Sequence, residues 1–357
     1  MRSKGKVLLI TTALGLLSMV AVIALAGEGQ DASFFDKSLH ATGNGMRYWY
    51  EADDGFMQMT GIPYDQLDCK NCHVQTCDKC HAEKQGDSYV YSDAMPHQSD
   101  TCFKCHGREK GTFGMDKANN CLDVHMVAGF TCSRCHRGND VHGNGTSYDS
   151  MRSPGAVMTK CTNCHTADAT DAPKLDAGTT AHSVHGDKLD CAACHVQSTF
   201  SCNNCHFDTF LETGSRKGTF IKNKDWLLLV NYEGKVTSGT AMSLVTGDKK
   251  FVGYGPYFTH SVAKGHACED CHANEAVKMM NGGEMVPIAK YEDGKVVFWK
   301  GVIPAVPDKL EWVFLDKQGD NWVPITGGPD PKIQWFTYGS PITEDQLKMM
   351  AMPMKSE

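Results

Sequence analysis

The chain of 357 residues carries 35 Lys plus Arg against 42 Asp plus Glu, a formal net charge of −7. An acidic balance without clustered Lys and Arg excludes nucleic acid as a partner, because phosphate backbones are bound by concentrated positive charge. Hydrophobic content is ordinary at 41%, so the 17 Cys and 16 His are what set the sequence apart.

The N-terminus reads first. Met1-Arg2-Ser3-Lys4-Gly5-Lys6 is basic, Val7 to Ala26 is apolar, and the run ends Ala24-Leu25-Ala26. A basic start, an apolar core and a small-residue site describe a signal peptide over residues 1–26, cleaved after Ala26. Retained instead, a run of that length reaches across a bilayer and gives membrane association. Either way the remainder is exported, to the periplasm or to the extracellular cell surface. Cleavage removes Arg2, Lys4 and Lys6 and no acidic residue, so the exported chain is more acidic still. Residues 27–68 form an N-terminal segment that contains no cysteine.

Sixteen cysteines fall into eight Cys-x-x-Cys pairs, and each pair is followed at once by histidine. Region 69–218 holds the first seven. They are Cys69, Cys72 and His73; Cys77, Cys80 and His81; Cys102, Cys105 and His106; Cys132, Cys135 and His136. Then come Cys161, Cys164 and His165; Cys191, Cys194 and His195; Cys202, Cys205 and His206. The eighth, at 268–272, is Cys268, Cys271 and His272, inside region 219–357. Cys-x-x-Cys alone also serves zinc ribbons and thioredoxin-like sites. Histidine after all eight pairs has a chance probability on the order of 10⁻¹¹ at this histidine content, which disposes of accident.

The spacing has a chemical reason. Thiols three residues apart on one turn can both reach vinyl groups of one porphyrin, and the next histidine then presents its imidazole to the iron. On these motifs the chain resembles the multihaem (octahaem) c-type cytochromes over residues 69–272. The resemblance implies eight covalently bound haem c groups, attached outside the cytoplasmic membrane.

Eight histidines lie outside the motifs: His40, His97, His125, His142, His182, His185, His260 and His266. One per haem is what bis-histidine ligation requires, so these are the candidate second axial ligands. Met95, Met115, Met126, Met151 and Met158 are the methionines of the region, able to ligate iron or simply to fill gaps. An iron with two protein ligands only passes electrons, whereas one with a single ligand can bind a substrate.

"LDCKNCHVQTCDKCH" at 67–81 and "LDCAACHVQSTFSCNNCH" at 189–206 read as a duplicated two-haem module. Haems so closely spaced suit a chain of fast electron hops. The expected fold is mostly irregular, with short α-helices wrapped around a chain of covalently bound haems that serve as the core. "HGREKGTFG" and "HTADATDAPKLDAGTT" are loop-like in composition. A small β-rich C-terminal region follows, because apolar and aromatic runs in 219–258 and 284–340 are joined by Glu-Gly, Asp-Gly and Gln-Gly-Asp turns. This region reads equally as a docking surface or as a cap over the last haems. A helix starts near Thr343, with Glu344 and Asp345 in its first turn.

Cys121 is left over. It reads as a buried structural cysteine, with a ninth-site relic, a reactive thiol or a long-spaced attachment ending at Cys135 as the other readings. Asn144 to Thr146 matches a glycosylation acceptor. The functional expectation is an exported electron carrier between a quinol oxidase or another cytochrome and a terminal acceptor, with a polymeric extracellular conductor (a filament) as its self-associated form. The alternative is an octahaem reductase of a small nitrogen or sulfur oxyanion with one open iron, in which Cys121 or Lys117 lines the pocket.

Overall fold

In a computed structural model of the chain, the described residues are 32–67, 73, 74, 76–176, 178–214 and 221–352. The signal segment 1–26 and the motif residues Cys69 and Cys72 lie outside them. Among the described residues no helix is long and apolar enough to cross a membrane.

Helix makes up 34% and strand 26% of the described residues. This corrects the expectation of a mostly irregular chain. The stretch "GREKGTFG", loop-like by its glycines, lies in the helix Gly107–Ala118. Its Arg, Glu, Lys, Met and Ala are good helix formers, and glycine is there for packing. A Cβ on Gly111 would lie 3.2 Å from the Phe200 ring, so glycine lets the helix settle on the strand behind it without displacing that ring. Asp116 on this helix is fully buried and bonded to the ammonium of Lys224, which fixes the helix to the sheet.

The strands, in chain order, begin with an exposed hairpin, β1 (Ala82–Gln85) and β2 (Ser88–Tyr91). Next come β3 (Thr199–Asn203), β4 (Cys205–His206), β5 (Ile221–Tyr232), β6 (Lys235–Thr246) and β7 (Lys249–Pro256). Then follow β8 (Val286–Pro287), β9 (Ala289–Glu292), β10 (Lys295–Phe298), β11 (Gly301–Pro304), β12 (Leu310–Glu311), β13 (Leu315–Gln318), β14 (Asn321–Pro324) and β15 (Lys332–Trp335), of which β8 with β12, β9 with β10 and β13 with β14 make small two-stranded pairs. One seven-stranded sheet runs β11-β5-β6-β7-β15, with β3 added on β5 and β4 on β6. β5, β6 and β7 are antiparallel neighbours, and β11 and β15 flank them in parallel. The β5–β6 hairpin turns on Glu233 and Gly234, both at positive φ (48° and 75°), as the twist of a two-residue turn requires. β5 and β6 pair only from Leu228 and Gly239 toward this turn; beyond it they diverge, and β3 and β4 fill the fork. The sheet therefore draws in chain from the seventh motif.

A side-chain core exists, contrary to a core made of porphyrins alone. Trp226, Leu227, Leu228 and Val230 of β5 pack with Tyr254, Ile303 and the helix Glu275–Asn281 through Ala276, Val277 and Met280. Each large apolar side chain so buried contributes about 1.5–3 kcal/mol. The helix Glu344–Ala351 closes this core with Leu347. It starts where the sequence places it, because the Thr343 hydroxyl accepts from Gln346 N at 3.2 Å.

Candidate haem-binding cavity

The motifs become local structure in one way almost throughout. The His amide donates to the first Cys carbonyl in His81→Cys77, His106→Cys102, His136→Cys132 and His165→Cys161 at 2.9 Å, and in His272→Cys268 at 2.8 Å. Cys191–His195 is a helix outright, capped by Asp190, whose carboxylate accepts from Ala192 N at 2.9 Å. One closed turn brings the two thiols, three residues apart, to the same side.

The seventh motif departs from this. Cys202 belongs to β3 and Cys205 and His206 to β4, with Asn204 between them at φ 57°. The Asn204 side chain is bonded to the Leu315 backbone, its Oδ1 accepting from Leu315 N at 2.6 Å.

All described motif cysteines line a single cavity of about 4160 Å³. Pockets for one small ligand are about 300–1,000 Å³, so this space accommodates several large groups. Thiols of successive motifs follow one another through it. Cys80 lies in electrostatic reach of Cys102, and Cys102 lies beside Cys132. Cys135 lies near Cys164, Cys161 lies beside Cys191, and Cys194 lies near Cys271. The spatial order is thus second, third, fourth, fifth, sixth, eighth motif.

Across the cavity, six motif histidines each face one of the others. The ring centroids are 6.1 Å apart for His106 and His40, 6.0 Å for His81 and His142, and 6.0 Å for His165 and His125. They are 6.1 Å for His136 and His260, 6.4 Å for His195 and His182, and 6.1 Å for His272 and His185. With metal–imidazole bonds of about 2 Å and ring nitrogens about 1.1 Å from their centroids, two imidazoles sharing one metal sit roughly 6.2 Å apart.

In seven of these twelve histidines the other ring nitrogen is held. Nδ1 donates to backbone carbonyls from His40 (Val141 O, 2.9 Å), His165 (Pro173 O, 2.9 Å), His185 (Ala181 O, 2.9 Å) and His195 (Ala263 O, 3.0 Å). His182 Nδ1 donates to Asp176 O at 2.7 Å, while His125 and His136 place Nδ1 3.2 Å from Asp123 and Asp140. This fixes the tautomer and leaves Nε2 to ligate, the usual support of a metal-binding histidine. Burial lowers the pKa of His40, His142 and His260, which keeps them in the neutral form that binds metal.

These residues fit haem c. Each pair supplies only two ligands, and no group of three or more His, Cys, Asp or Glu converges on a bare ion among the described residues. Two facing imidazoles beside a pair of thiols would hold a haem, whose ring would supply the remaining ligands.

Four histidines stand apart from such pairs. His73 stacks on buried Tyr64 at 5.8 Å, with its Nε2 3.1 Å from the phenol oxygen. His206 lies outside the cavity lining, donating from Nε2 to Leu315 O at 2.6 Å. His266 donates from Nε2 to Val196 O at 2.9 Å and sets Nδ1 3.4 Å from Asp270. His97 is joined through Nδ1 to Ser133 Oγ at 3.0 Å. Cys121, expected to be buried, is exposed, with Lys224 Nζ 3.6 Å from its sulfur. Sequence reasoning missed Tyr64 and the supporting carboxylates, although Asp-x-His at 123–125 and His-x-x-x-Asp at 136–140 carry a local signal.

Among curated proteins, the chain is similar to the dissimilatory sulfite reductase MccA of Wolinella succinogenes, 25% identical over 174 residues, 39% of this chain and 23% of that protein. The match spans less than a quarter of that relative's length. No family model matches, and no solved structure matches.

Proposed function

We propose that this protein is an exported electron carrier holding haem c at its Cys-x-x-Cys-His motifs, eight in all, and relaying electrons between a membrane or periplasmic donor and a terminal acceptor. One observation carries the reading: six motif histidines each face a second imidazole at a separation of 6.0–6.4 Å inside one cavity. Haem, when bound, supplies reversible one-electron exchange at its iron. The chain's own residues do the rest. The turns aim paired thiols into the cavity, carbonyls and carboxylates behind Nδ1 hold seven of the facing imidazoles in place, and both faces of six sites are filled by protein. Sites filled on both faces take no substrate, which suits conduction. The unbroken run of thiols from Cys80 to Cys271 suits transfer through neighbouring sites.

A second reading, reduction of a small sulfur or nitrogen oxyanion, is favoured by the named relative and by His73 and His206, which face no other described imidazole. Carbon monoxide titration of the fully reduced holoprotein tests the first reading. Six sites filled from both sides leave at most two of the eight motifs able to respond. A Soret shift involving more than two in eight haems overturns the conduit. A shift at one or two, accompanied by turnover of sulfite or nitrite, moves the assignment to the reductase.

A further inference from the structure

Arg152 lies on the wall of the haem cavity, half-buried, with its guanidinium carbon 5.5 Å from the Tyr232 ring centroid. Its backbone is pinned on both sides: its N–H donates to Ser150 Oγ at 3.1 Å, and its carbonyl accepts from the Tyr232 hydroxyl. The guanidinium has no ion pair among the described residues. The acidic groups in electrostatic reach are Asp190 and Glu233, and both are committed elsewhere. Asp190 caps Cys191–His195 and accepts from Thr237 Oγ1 at 3.4 Å; Glu233 accepts from the Tyr232 hydroxyl at 3.2 Å. Glu109, beyond Tyr257, takes that residue's hydroxyl. Burial pushes the Arg152 guanidinium down, the mark of a sheltered cation without a counter-charge. Leaving such a group unpaired is costly, and its planar fork matches a carboxylate.

Arg152 stands between the third and sixth motifs. Asp190 directly precedes Cys191, and Tyr257 bonds the residue three positions past His106. Haem brings carboxylates of its own as propionates. We propose that Arg152 is the docking point for a haem propionate in the stretch of cavity between Cys102–His106 and Cys191–His195. This rests on the proposed haem loading. The paired charge raises that haem's midpoint potential above what a bare carboxylate would give, so Arg152 is a positioning and tuning residue.

The experiment is spectroelectrochemical titration of purified holoprotein, wild type against R152Q and R152K, with haem per chain counted first by pyridine haemochrome. The expected result is full haem content, an unchanged low-spin spectrum, and one component of the R152Q titration moved to a more negative potential, with R152K returning toward wild type. Superimposable curves overturn the proposal. If R152Q loads incompletely, R152K decides through resonance Raman: a shifted propionate-bending band supports the contact and an unchanged band overturns it. Wild-type protein without covalent haem would instead defeat the underlying reading, and the haem count alone detects that.

Discussion

Replacing His260 with alanine tests the pairing of histidines most directly. His260 faces His136 at 6.1 Å, and its ring packs edge-on to Phe113 and Phe258 at 5.9 and 5.4 Å. Its Nδ1 is buried without a hydrogen-bond partner, so H260A breaks no hydrogen bond at that nitrogen and the fold is expected to hold. What disappears is the nitrogen opposite His136, which stays oriented by Asp140 at 3.2 Å. With a metal–nitrogen bond of about 2 Å, the vacated space admits a diatomic ligand or free imidazole. One of eight motifs changes, so the carbon monoxide-responsive share of the Soret band should rise by one part in eight over wild type. Added imidazole should suppress that gain. The assay is difference absorption of reduced protein at matched haem concentration. An H260A protein that carries its full haem content and takes up no more carbon monoxide than wild type would refute the pairing of His136 with His260.

The same substitution at His266 should leave carbon monoxide uptake unchanged and lower stability instead. Its ring spans Val196 O and Asp270, and a lost buried hydrogen bond of this kind costs about 1–3 kcal/mol in chemical denaturation. Acidification should destabilise the protein. Burial holds His40, His142 and His260 below the ordinary 6.5, so the unfolded chain binds more protons than the folded one. Stability is complete above about 6.5 and is lost as pH falls; a thermal midpoint flat from about pH 8 to about pH 5 would contradict this. Leu228→Ala, at a side chain with no exposed surface in the centre of β5, should cost about 2–5 kcal/mol in thermal unfolding while leaving the visible spectrum intact. Asp190→Ala removes the cap of Cys191–His195 and should cost about 1 kcal/mol, with a larger loss pointing to a second role for that carboxylate.

The motif turns were legible because two thiols and an imidazole on one closed turn are a local pattern, readable from five residues. The hairpin turns at Glu233-Gly234 and Asp293-Gly294 were legible for the same reason, since positive φ at adjacent positions is written in residue type. Which histidine faces which was not. His40 meets His106 and His185 meets His272 across long stretches of chain, and that partnership exists only once sheet and helices are assembled. The seventh motif shows the limit most clearly. "STFSCNNCH" carries the same five-residue signal as the others, but it enters the fork between β5 and β6, and Asn204 is tied to Leu315, over a hundred residues away.

This placement bears on whether the β-rich part is a separable docking module. The sheet includes strands from the seventh motif, and the chain beyond Ile221 supplies His260 to His136 and His272 to His185. It also supplies the carbonyl of Ala263 that orients His195. Ending the chain before Ile221 would remove the facing imidazole from two upstream histidines and the support from a third, while exposing the unpaired edges of β3 and β4. Such a truncation should yield protein with carbon monoxide-binding haem at His136 and poor solubility. A soluble truncated form whose remaining haems stay closed to carbon monoxide would establish the β region as an independent appendage rather than part of the haem scaffold.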